Sequence, residues 1–180
     1  MTDREPIKTT NLDRYGNAAL PWNRPRDLLA ATPQPDVPGG FGSAYLGTVR
    51  PDGRPHAAGI GPCWFAGDLY FKSGPETRKT RNLAANPAGT IAMRLAGIDL
   101  VLEGEATRVT DRPTLEAVAA LYRQGGWPAA VDEAGDGLTA PFSAPSAGPP
   151  PWHLYRFRFH TAFGVAAAEP FGATRWRFDR

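Results

Sequence analysis

Short stretches of alternating apolar and polar residues, separated by turn-forming residues, make up most of the chain after its first forty residues. Residues 43–49 and 55–64 flank a turn at 50–54, where Pro51 presets φ and Gly53 tolerates the left-handed backbone. This arrangement predicts a β-hairpin. Further strands are predicted at 68–72, 89–95, 99–109, 152–160, 163–168 and 174–178.

Three helices are predicted among these strands. The first covers residues 25–31, and the second follows residues 73–76, which have the spacing of a capping box, and ends near Asn86. Asp111 caps the third helix, whose apolar stripe consists of Leu115, Val118, Ala119 and Tyr122. Mostly antiparallel strands with two or three peripheral helices indicate an α+β fold built on a small β-barrel.

The length of 180 residues fits one domain, and the composition divides it unevenly. Residues 1–40 are rich in proline and polar groups, so we expect a loosely attached N-terminal arm before a main domain at 41–180. Residues 124–151 hold six prolines and five glycines over 28 residues, far longer than a typical connection. Such a loop is typical of a lid, and we expect one here.

Charge and cysteine content exclude several classes of protein. A net charge of +2 argues against a nucleic-acid or membrane-surface partner. A single cysteine, Cys63, excludes an intramolecular disulfide and a cysteine-cluster metal site, and fits a reducing compartment. The chain has no apolar run of the ~20 residues needed to span a bilayer. Its first residues lack a signal-peptide core, so we expect a cytoplasmic protein.

Positive charge is concentrated between residues 72 and 81, where four cations face Glu76 alone. Arg78 and Lys79 fall in the first turn of the second predicted helix, where cations oppose the helix dipole. A bound anion makes this arrangement favourable, because backbone amides and cationic side chains then converge on it. A phosphate is the anion that we expect, with the Ser73 and Thr77 hydroxyls as further donors. A solvated basic helix face is the alternative interpretation.

The other chemistry-bearing residues favour structural roles. The three histidines, His56, His153 and His160, lack the spacing of metal ligands, so no metal site is predicted. Cys63 has no activating base nearby in sequence and is expected to be a small buried hydrophobe. No P-loop or dinucleotide-binding motif is present. Trp127 and residues 175–178 interleave aromatics with cations, which fits either stacking on a ligand ring or an ordinary strand with a core face.

Over residues 44–122, the order of these parts resembles the pyridoxamine 5′-phosphate oxidase-like family. This is the FMN-binding split-barrel superfamily, which includes flavin and deazaflavin oxidoreductases. The motifs that carry the resemblance are Val49-Arg50-Pro51-Asp52-Gly53-Arg54-Pro55-His56, Leu69-Tyr70-Phe71-Lys72, Thr77-Arg78-Lys79-Thr80-Arg81-Asn82-Leu83-Ala84-Ala85-Asn86-Pro87 and Glu103-Gly104-Glu105-Ala106.

The resemblance implies a split β-barrel homodimer with FMN or coenzyme F-420, a deazaflavin, in a groove at the subunit interface. It implies a phosphate cradle formed by Lys72, Ser73, Thr77, Arg78 and Lys79, with Arg81 and Asn82 flanking it. It also implies that the cofactor ring lies along the strand that begins with His56, Ala57, Ala58 and Gly59. No catalytic acid or base is identified.

The function implied is hydride transfer to or from a small organic substrate, with the cofactor carrying the chemistry. The C-terminal substrate-binding pattern of the vitamin-converting members is absent from this sequence, which argues against pyridoxamine phosphate as the substrate. One alternative is a non-catalytic split barrel that carries flavin or haem. Another is a small-barrel nucleic-acid binder, which the near-neutral net charge opposes.

Overall fold

A large antiparallel sheet organises the computed structural model, which describes residues 4–31, 43–143 and 147–179. Within these residues the helices are Asn23–Ala31 (α1), Arg78–Ala85 (α2) and Arg112–Gln124 (α3). The strands are Lys8–Asn11 (β1), Ala44–Val49 (β2), Pro55–Ile60 (β3), Cys63–Phe65 (β4), Asp68–Ser73 (β5), Ala88–Leu95 (β6), Ile98–Val109 (β7), Ala130–Val131 (β8), Leu138–Thr139 (β9), His153–Ala166 (β10) and Ala173–Arg177 (β11).

The long strand β10 divides the sheet into two branches. One edge of β10 pairs with β7, while the other edge pairs first with β5 and then with β11. The register with β7 shifts between Phe159 and Thr161, where a bulge bends the strand. Gly104 faces this bulge, and a Cβ there would overlap the backbone of Arg158. The main path through the sheet is β1-β11-β10-β7-β6-β2-β3, so the predicted α+β fold of mostly antiparallel strands with peripheral helices is confirmed.

Two predicted strands differ from the observed ones. The strand expected at 55–64 is two strands, because β3 ends at Ile60 and β4 begins at Cys63, after Pro62. Proline has no N–H for the strand ladder, which explains the break. The strands expected at 152–160 and 163–168 are one continuous strand, β10, because a bulge bends a strand without ending it.

Residues 4–31 are packed into the domain, so the expected loose attachment is wrong for this part of the arm. β1 pairs antiparallel with β11, and Trp22 and Leu29 belong to the main core. The Trp22 ring meets Phe178 edge-on at 4.7 Å between centroids. The predicted boundary between residues 40 and 41 lies outside the described residues.

A buried carboxylate also holds the N-terminal segment against the sheet. Asp68, at the start of β5, is fully buried and accepts hydrogen bonds from Arg156 at 2.5 and 2.7 Å. Arg4 donates to the other oxygen of Asp68 at 3.3 Å and to the Phe159 carbonyl at 2.7 Å. Residue 4 is therefore tied to both β5 and β10.

The apolar residues form two clusters. The main core lies against the sheet and includes Phe71, Phe157 and Trp176. Trp176 is fully buried and Phe178 is 3% exposed, which confirms the core interpretation of residues 175–178. The second cluster joins α3 to β4, β5 and β10, and all of the predicted stripe on α3 is buried in it.

The described part of the predicted loop 124–151 is residues 124–143 and 147–151, of which Gln124 is the last residue of α3 and the rest contain the small hairpin of β8 and β9. The Trp127 ring meets the Tyr122 ring edge-on at 5.2 Å and lies tilted against the Trp152 ring at 5.4 Å, both between ring centroids. This part of the loop is therefore anchored to the second cluster. Among the described residues, no helix combines the length and the hydropathy needed to cross a bilayer.

Candidate functional site

An open cavity of about 440 Å³ lies where β3 meets the beginning of α2. Its wall consists of His56, Ala58, Gly59, Glu76, Thr77, Arg78, Lys79, Ala147 and Gly148. Six of the residues predicted from the sequence are among them, namely His56, Ala58, Gly59, Thr77, Arg78 and Lys79. The structure therefore brings together two segments, around residues 57 and 78, that are distant in sequence.

Two other cavities in the described part of the chain lack this combination of size and charge. One, of about 140 Å³, lies on β7 and β10 beside Arg156, and is too small for a typical cofactor. The other, of about 440 Å³, lies between residues 17–21 and 169–171, and its wall contains no lysine, arginine or histidine. The cavity at α2 is therefore the candidate site for an anionic ligand.

The turn between β5 and α2 places the cationic residues on the cavity wall. Thr77 is the N-cap of α2, and its hydroxyl oxygen accepts a hydrogen bond from the Thr80 amide at 3.4 Å. The predicted capping box at 73–76 is therefore wrong. Ser73 is the last residue of β5 and pairs with His153, so its backbone belongs to the sheet and cannot cap the helix.

A cluster of buried hydroxyl groups supports this turn from behind. The Thr80 hydroxyl lies 2.8 Å from the Ser73 hydroxyl and donates to the Gly74 carbonyl at 2.8 Å. The Thr77 hydroxyl lies 2.9 Å from that of Ser73. Ser73 is fully buried and lies behind the cavity, whereas Thr77 is on its wall. The hydroxyl cluster therefore fixes the position of Thr77 and of the first turn of α2.

Arg78 and Lys79 give the cavity a positive charge that no nearby carboxylate neutralises. Neither side chain forms an ion pair within residues 4–31, 43–143 and 147–179, although Glu76 is on the same wall. Lys79 is only 8% exposed, and burial lowers the pKa of its ammonium group. Two cations at a helix N-terminus repel one another and the helix dipole, so the site is electrostatically suited to an anion.

His56 lies on the opposite side of the cavity, on β3. The pKa of its imidazole is lowered, mainly by burial. The charges of Arg50, Arg78 and Lys79 lower it further. Its Nδ1 lies 3.4 Å from the Thr48 hydroxyl. His56 thus favours its neutral form, in a neighbourhood that is already positive.

Asn82 is 2% exposed and lies on the far side of Thr48 from His56 in a chain of hydrogen-bonding groups. Its amide donates a hydrogen bond to the Thr48 hydroxyl at 2.9 Å, so it reaches the cavity only through Thr48 and His56. It is not on the cavity wall. Its contact with the wall is therefore indirect.

Besides Ser73 and Asn82, three further predicted site residues, Ala57, Lys72 and Arg81, are not on the cavity wall. The Lys72 ammonium lies over the Trp127 ring at 3.9 Å and over the Tyr122 ring at 4.6 Å, because side chains alternate along β5 and Lys72 faces the second cluster. Arg81 is exposed on α2, and Ala57 is exposed on β3. Lys72 is therefore engaged in a cation–π contact on the far side of β5 from Ser73.

Sequence reasoning expects the long loop to act as a lid but does not identify which of its residues lie at the cavity. Ala147 and Gly148 are on its wall. The closest local signal is Gly74, because a Cβ at this position would overlap the carbonyl oxygen of Ala147. Glycine is needed where two backbones approach this closely. The role of the loop as a lid stays a prediction.

Strand β3 offers both an open edge and open space beside the cavity. Within the described residues it pairs only with β2, so alternate backbone groups of β3 have no strand partner. An ideal Cβ on Gly59 would have no heavy atom within 4 Å. A flat ligand can therefore approach the backbone here.

The remaining histidines and the cysteine lie apart from this cavity. The His160 Nδ1 lies 3.1 Å from the Thr161 hydroxyl, and the His153 ring lies 6.3 Å from that of Tyr155. No cluster of three or more potential metal-ligating side chains occurs among the described residues. Cys63 is fully buried, and desolvation raises the pKa of its thiol to about 12, as expected for a packing residue.

Comparison with solved structures shows a shared fold at low sequence identity. A pyridoxamine 5′-phosphate oxidase-related, FMN-binding protein from Nostoc punctiforme is 17% identical, with 77% of this chain and 87% of that one covered and a TM-score of 0.50. A NimC/NimA family protein from Clostridium acetobutylicum is 18% identical, with 86% and 90% covered and a TM-score of 0.52. A heme-binding protein from Mycobacterium smegmatis is 16% identical, with 81% and 54% covered and a TM-score of 0.55.

Comparison at the sequence level gives the family. No curated protein sequence matches the chain significantly. The family model described as pyridoxamine 5′-phosphate oxidase matches residues 39–166, well over half of the 180 residues. That span contains strand β10, at which the sheet branches, the first turn of α2 with Arg78 and Lys79, and every residue of β3. The chain therefore belongs to the pyridoxamine 5′-phosphate oxidase family and has its split-barrel fold.

Proposed function

We propose that this protein binds FMN or coenzyme F-420 at the cavity between β3 and α2 and acts as an oxidoreductase on a small organic substrate. The observation that carries the proposal is the pair of cations, Arg78 and Lys79, which face an open cavity without a carboxylate partner among the described residues. Membership of the family supports a flavin-type cofactor in such a cavity.

The residues on the wall fit the phosphate of such a cofactor. Amides at the start of a helix and cationic side chains are the donors that proteins use for phosphate. Arg78 can donate two parallel hydrogen bonds to phosphate oxygens, Lys79 supplies a point charge, and the Thr77 hydroxyl adds a neutral donor. Because the hydroxyl cluster behind Thr77 holds this turn, the donors are in place before the ligand arrives.

The ring of the cofactor would lie along β3. Open backbone groups on this strand can hydrogen-bond to ring carbonyls and nitrogens, and Gly59 leaves the space that the ring needs. When bound, the cofactor supplies the hydride chemistry. The protein contributes orientation through β3, charge through Arg78 and Lys79, and partial exclusion of water through Ala147 and Gly148.

We also propose that a second copy of the chain covers the open side of the site. Tyr45 on β2 lies directly opposite Gly59, and the same row of the sheet continues to Val101 on β7. These two side chains are 52% and 37% exposed, so the apolar row next to the cavity is uncovered in one chain. Light scattering of the purified protein should give twice the 19.4 kDa of one chain. A monomer at micromolar concentration would contradict the homodimer.

The test of the cofactor assignment is a titration of the purified protein with FMN, coenzyme F-420 and haem, followed by absorbance and thermal unfolding. A ligand at 100 times its Kd stabilises the folded state by about 2.7 kcal/mol, so a genuine cofactor raises the Tm by several degrees. We expect this for FMN or F-420, with hydride exchange to an added acceptor when the reduced cofactor is supplied.

Other outcomes of the titration would contradict the proposal. Stabilisation by haem alone would contradict the flavin assignment and show that the protein binds haem. Flavin binding without turnover of any acceptor would favour a carrier over an oxidoreductase. Circular dichroism, measured before the ligands are added, identifies unfolded material.

A further inference from the structure

A smaller cavity, of about 140 Å³, lies on the sheet where β7 and β10 run side by side, and the proposed cofactor site makes no use of it. We call it the β7–β10 cavity. Its wall consists of Glu105, Thr107, Arg156, Arg158, Phe159 and His160. The wall of the cavity between β3 and α2 shares none of these residues, so the two cavities are separate.

The β-bulge in β10 brings His160 to this cavity. Phe159 pairs with Gly104 and Thr161 pairs with Glu103, so His160 between them has no partner on β7. A bulge leaves its extra residue outside the ladder and redirects the neighbouring side chains. The His160 Nδ1 lies 3.1 Å from the Thr161 hydroxyl, and Nε2 forms no hydrogen bond within the described residues. His160 thus keeps one ring nitrogen for a ligand.

Arg158 and Glu105 form an open charge pair on the cavity wall. They lie directly opposite one another on β10 and β7. Opposite charges at such positions normally interact across the strands. Here they form no ion pair with each other, and neither has another ionic partner within residues 4–31, 43–143 and 147–179. A ligand on this wall can therefore be contacted by both charges.

Arg156 adds a guanidinium that a buried acid holds in place. Its Nε and Nη2 donate to Asp68 at 2.7 and 2.5 Å, and its Nη1 forms no hydrogen bond in the described part of the chain. Arg4 donates to the same carboxylate at 3.3 Å, so two arginines share one acid. Burial lowers the pKa of Arg4, and the charges of Arg158 and Arg156 lower it further, as expected for three cations close together.

We propose that the β7–β10 cavity binds a small carboxylate that carries a hydrogen-bond donor next to its carboxyl group. The carboxylate would lie against Arg158 and Arg156, because a guanidinium group matches the geometry of a carboxylate. Glu105 would accept from the donor, which is a hydroxyl or an ammonium group, and Thr107 offers a further hydroxyl. The three arginines against Asp68 and Glu105 leave a net local charge of +1 (3 minus 2), which one carboxylate balances.

The volume of the cavity limits the size of the ligand. An engineered cavity of about 150 Å³ binds benzene, so a cavity of this size admits about six non-hydrogen atoms. Small α-hydroxy and α-amino carboxylates such as lactate and alanine fit the volume of about 140 Å³, whereas a flavin does not. The inference therefore concerns a different ligand from the proposed cofactor and does not depend on it.

The experiment is a calorimetric titration of the purified protein with L-lactate, L-alanine and propionate, of which propionate lacks the donor. We expect L-lactate or L-alanine to bind with a Kd on the order of 1 mM, within reach of a ligand this small. Propionate should bind about 10-fold more weakly, because Glu105 then stays unpaired. Glu105→Gln tells the two donors apart, since it should weaken an ammonium ligand by about 10-fold and a hydroxyl ligand less.

Arg158→Gln should weaken the ligand that binds by about 10-fold or more, since it removes a charge-assisted contact. Arg177→Gln is the matched control, because Arg177 is an exposed arginine on the neighbouring strand β11 and is not on the cavity wall. It should bind like the wild type. Arg156 is kept in all variants, because its loss would leave the buried Asp68 with a weaker partner.

Proton NMR of the histidine rings gives a second measurement on the unmodified protein. The chain has three histidines, and of these His160 is on the wall of the β7–β10 cavity. The ligand should shift the ring signals of His160, assigned by their loss in His160→Gln, and leave those of His56 and His153 in place. This measurement decides the question even if Arg158→Gln does not fold.

Four results would overturn the inference. They are the absence of heat and of any shift with all three compounds at up to about 50 mM, propionate binding as tightly as the other two, Arg158→Gln binding like Arg177→Gln, and a shift of His56 in place of His160. Normal binding of the small carboxylate by Arg78→Glu/Lys79→Gln would support a site separate from the cavity at α2.

Discussion

Loss of the two cations at the start of α2, in the double variant Arg78→Glu/Lys79→Gln, should reduce FMN or F-420 affinity by about 1,000-fold. Hydrogen bonds to charged groups contribute about 1.5–3 kcal/mol each, so two of them correspond to about 4 kcal/mol. The fold should not suffer, because Arg78→Glu replaces an unfavourable charge at the helix N-terminus with a favourable one. Lys79→Gln removes a charge that burial already disfavours.

Calorimetric titration with the cofactor, together with thermal unfolding without it, measures the two parts of this expectation. Arg112→Glu on α3 is the matched control, since Arg112 lies on the first turn of another helix and 68% of its side chain is exposed. The control should bind like the wild type. A double variant that binds within threefold of the wild type would place the cofactor phosphate elsewhere.

Filling the space beside Gly59 should abolish cofactor binding without unfolding the protein. A Cβ on Gly59 meets no heavy atom within 4 Å, and the residue does not have a positive φ, so a larger side chain fits the folded chain. In Gly59→Trp the indole would occupy the region that we assign to the cofactor ring. We expect no detectable flavin binding and a Tm without ligand within about 3 °C of the wild type, typical of a surface substitution.

The matched control is Gly59→Ala, which adds one methyl group at the same position. It should keep most of the affinity, and its Tm should be equal or slightly higher, because alanine restricts the unfolded chain. Dimer formation is followed by light scattering in each variant, so that an effect on assembly is distinguished from one on the ring site. Normal flavin binding by Gly59→Trp would show that the ring does not lie along β3.

The turns and the strands next to them could be predicted because their signals are local. Gly53 has positive φ and joins β2 to β3, as the sequence predicts, and Gly67 and Gly97, which also have positive φ, join the next two pairs of adjacent strands. The cap and the apolar stripe of α3 are equally local and are where the sequence places them. Each of these features depends on a few neighbouring residues and not on distant contacts.

The features that were missed depend on distant parts of the chain. β1 has the sequence Lys-Thr-Thr-Asn, which contains no apolar residue, and it is a strand because it pairs with β11, far away in the sequence. The spacing of Ser73 to Glu76 predicts a helix cap, yet Ser73 pairs with His153 on β10. Local patterns cannot show which strand a residue will pair with.

The sequence predicts the candidate site only in part, because contacts between distant parts of the chain decide which predicted residues reach the cavity. The concentration of charge at 72–81 indicated an anion site, and Arg78 and Lys79 are on the cavity wall. The alternation of side chains along β5 sends Lys72 to Trp127 instead, and this direction could have been expected from the two-residue period of a strand.

The isolation of Cys63 makes the protein convenient for single-site chemical labelling. It is the only cysteine in the sequence, and it is fully buried as a neutral thiol. Maleimides and iodoacetamides react with accessible thiolates, so the natural protein should remain unmodified under native conditions. In Arg81→Cys, the new thiol on the exposed face of α2 would then carry a lone fluorophore on the helix whose first turn lines the cavity, and its emission would report ligand binding in real time.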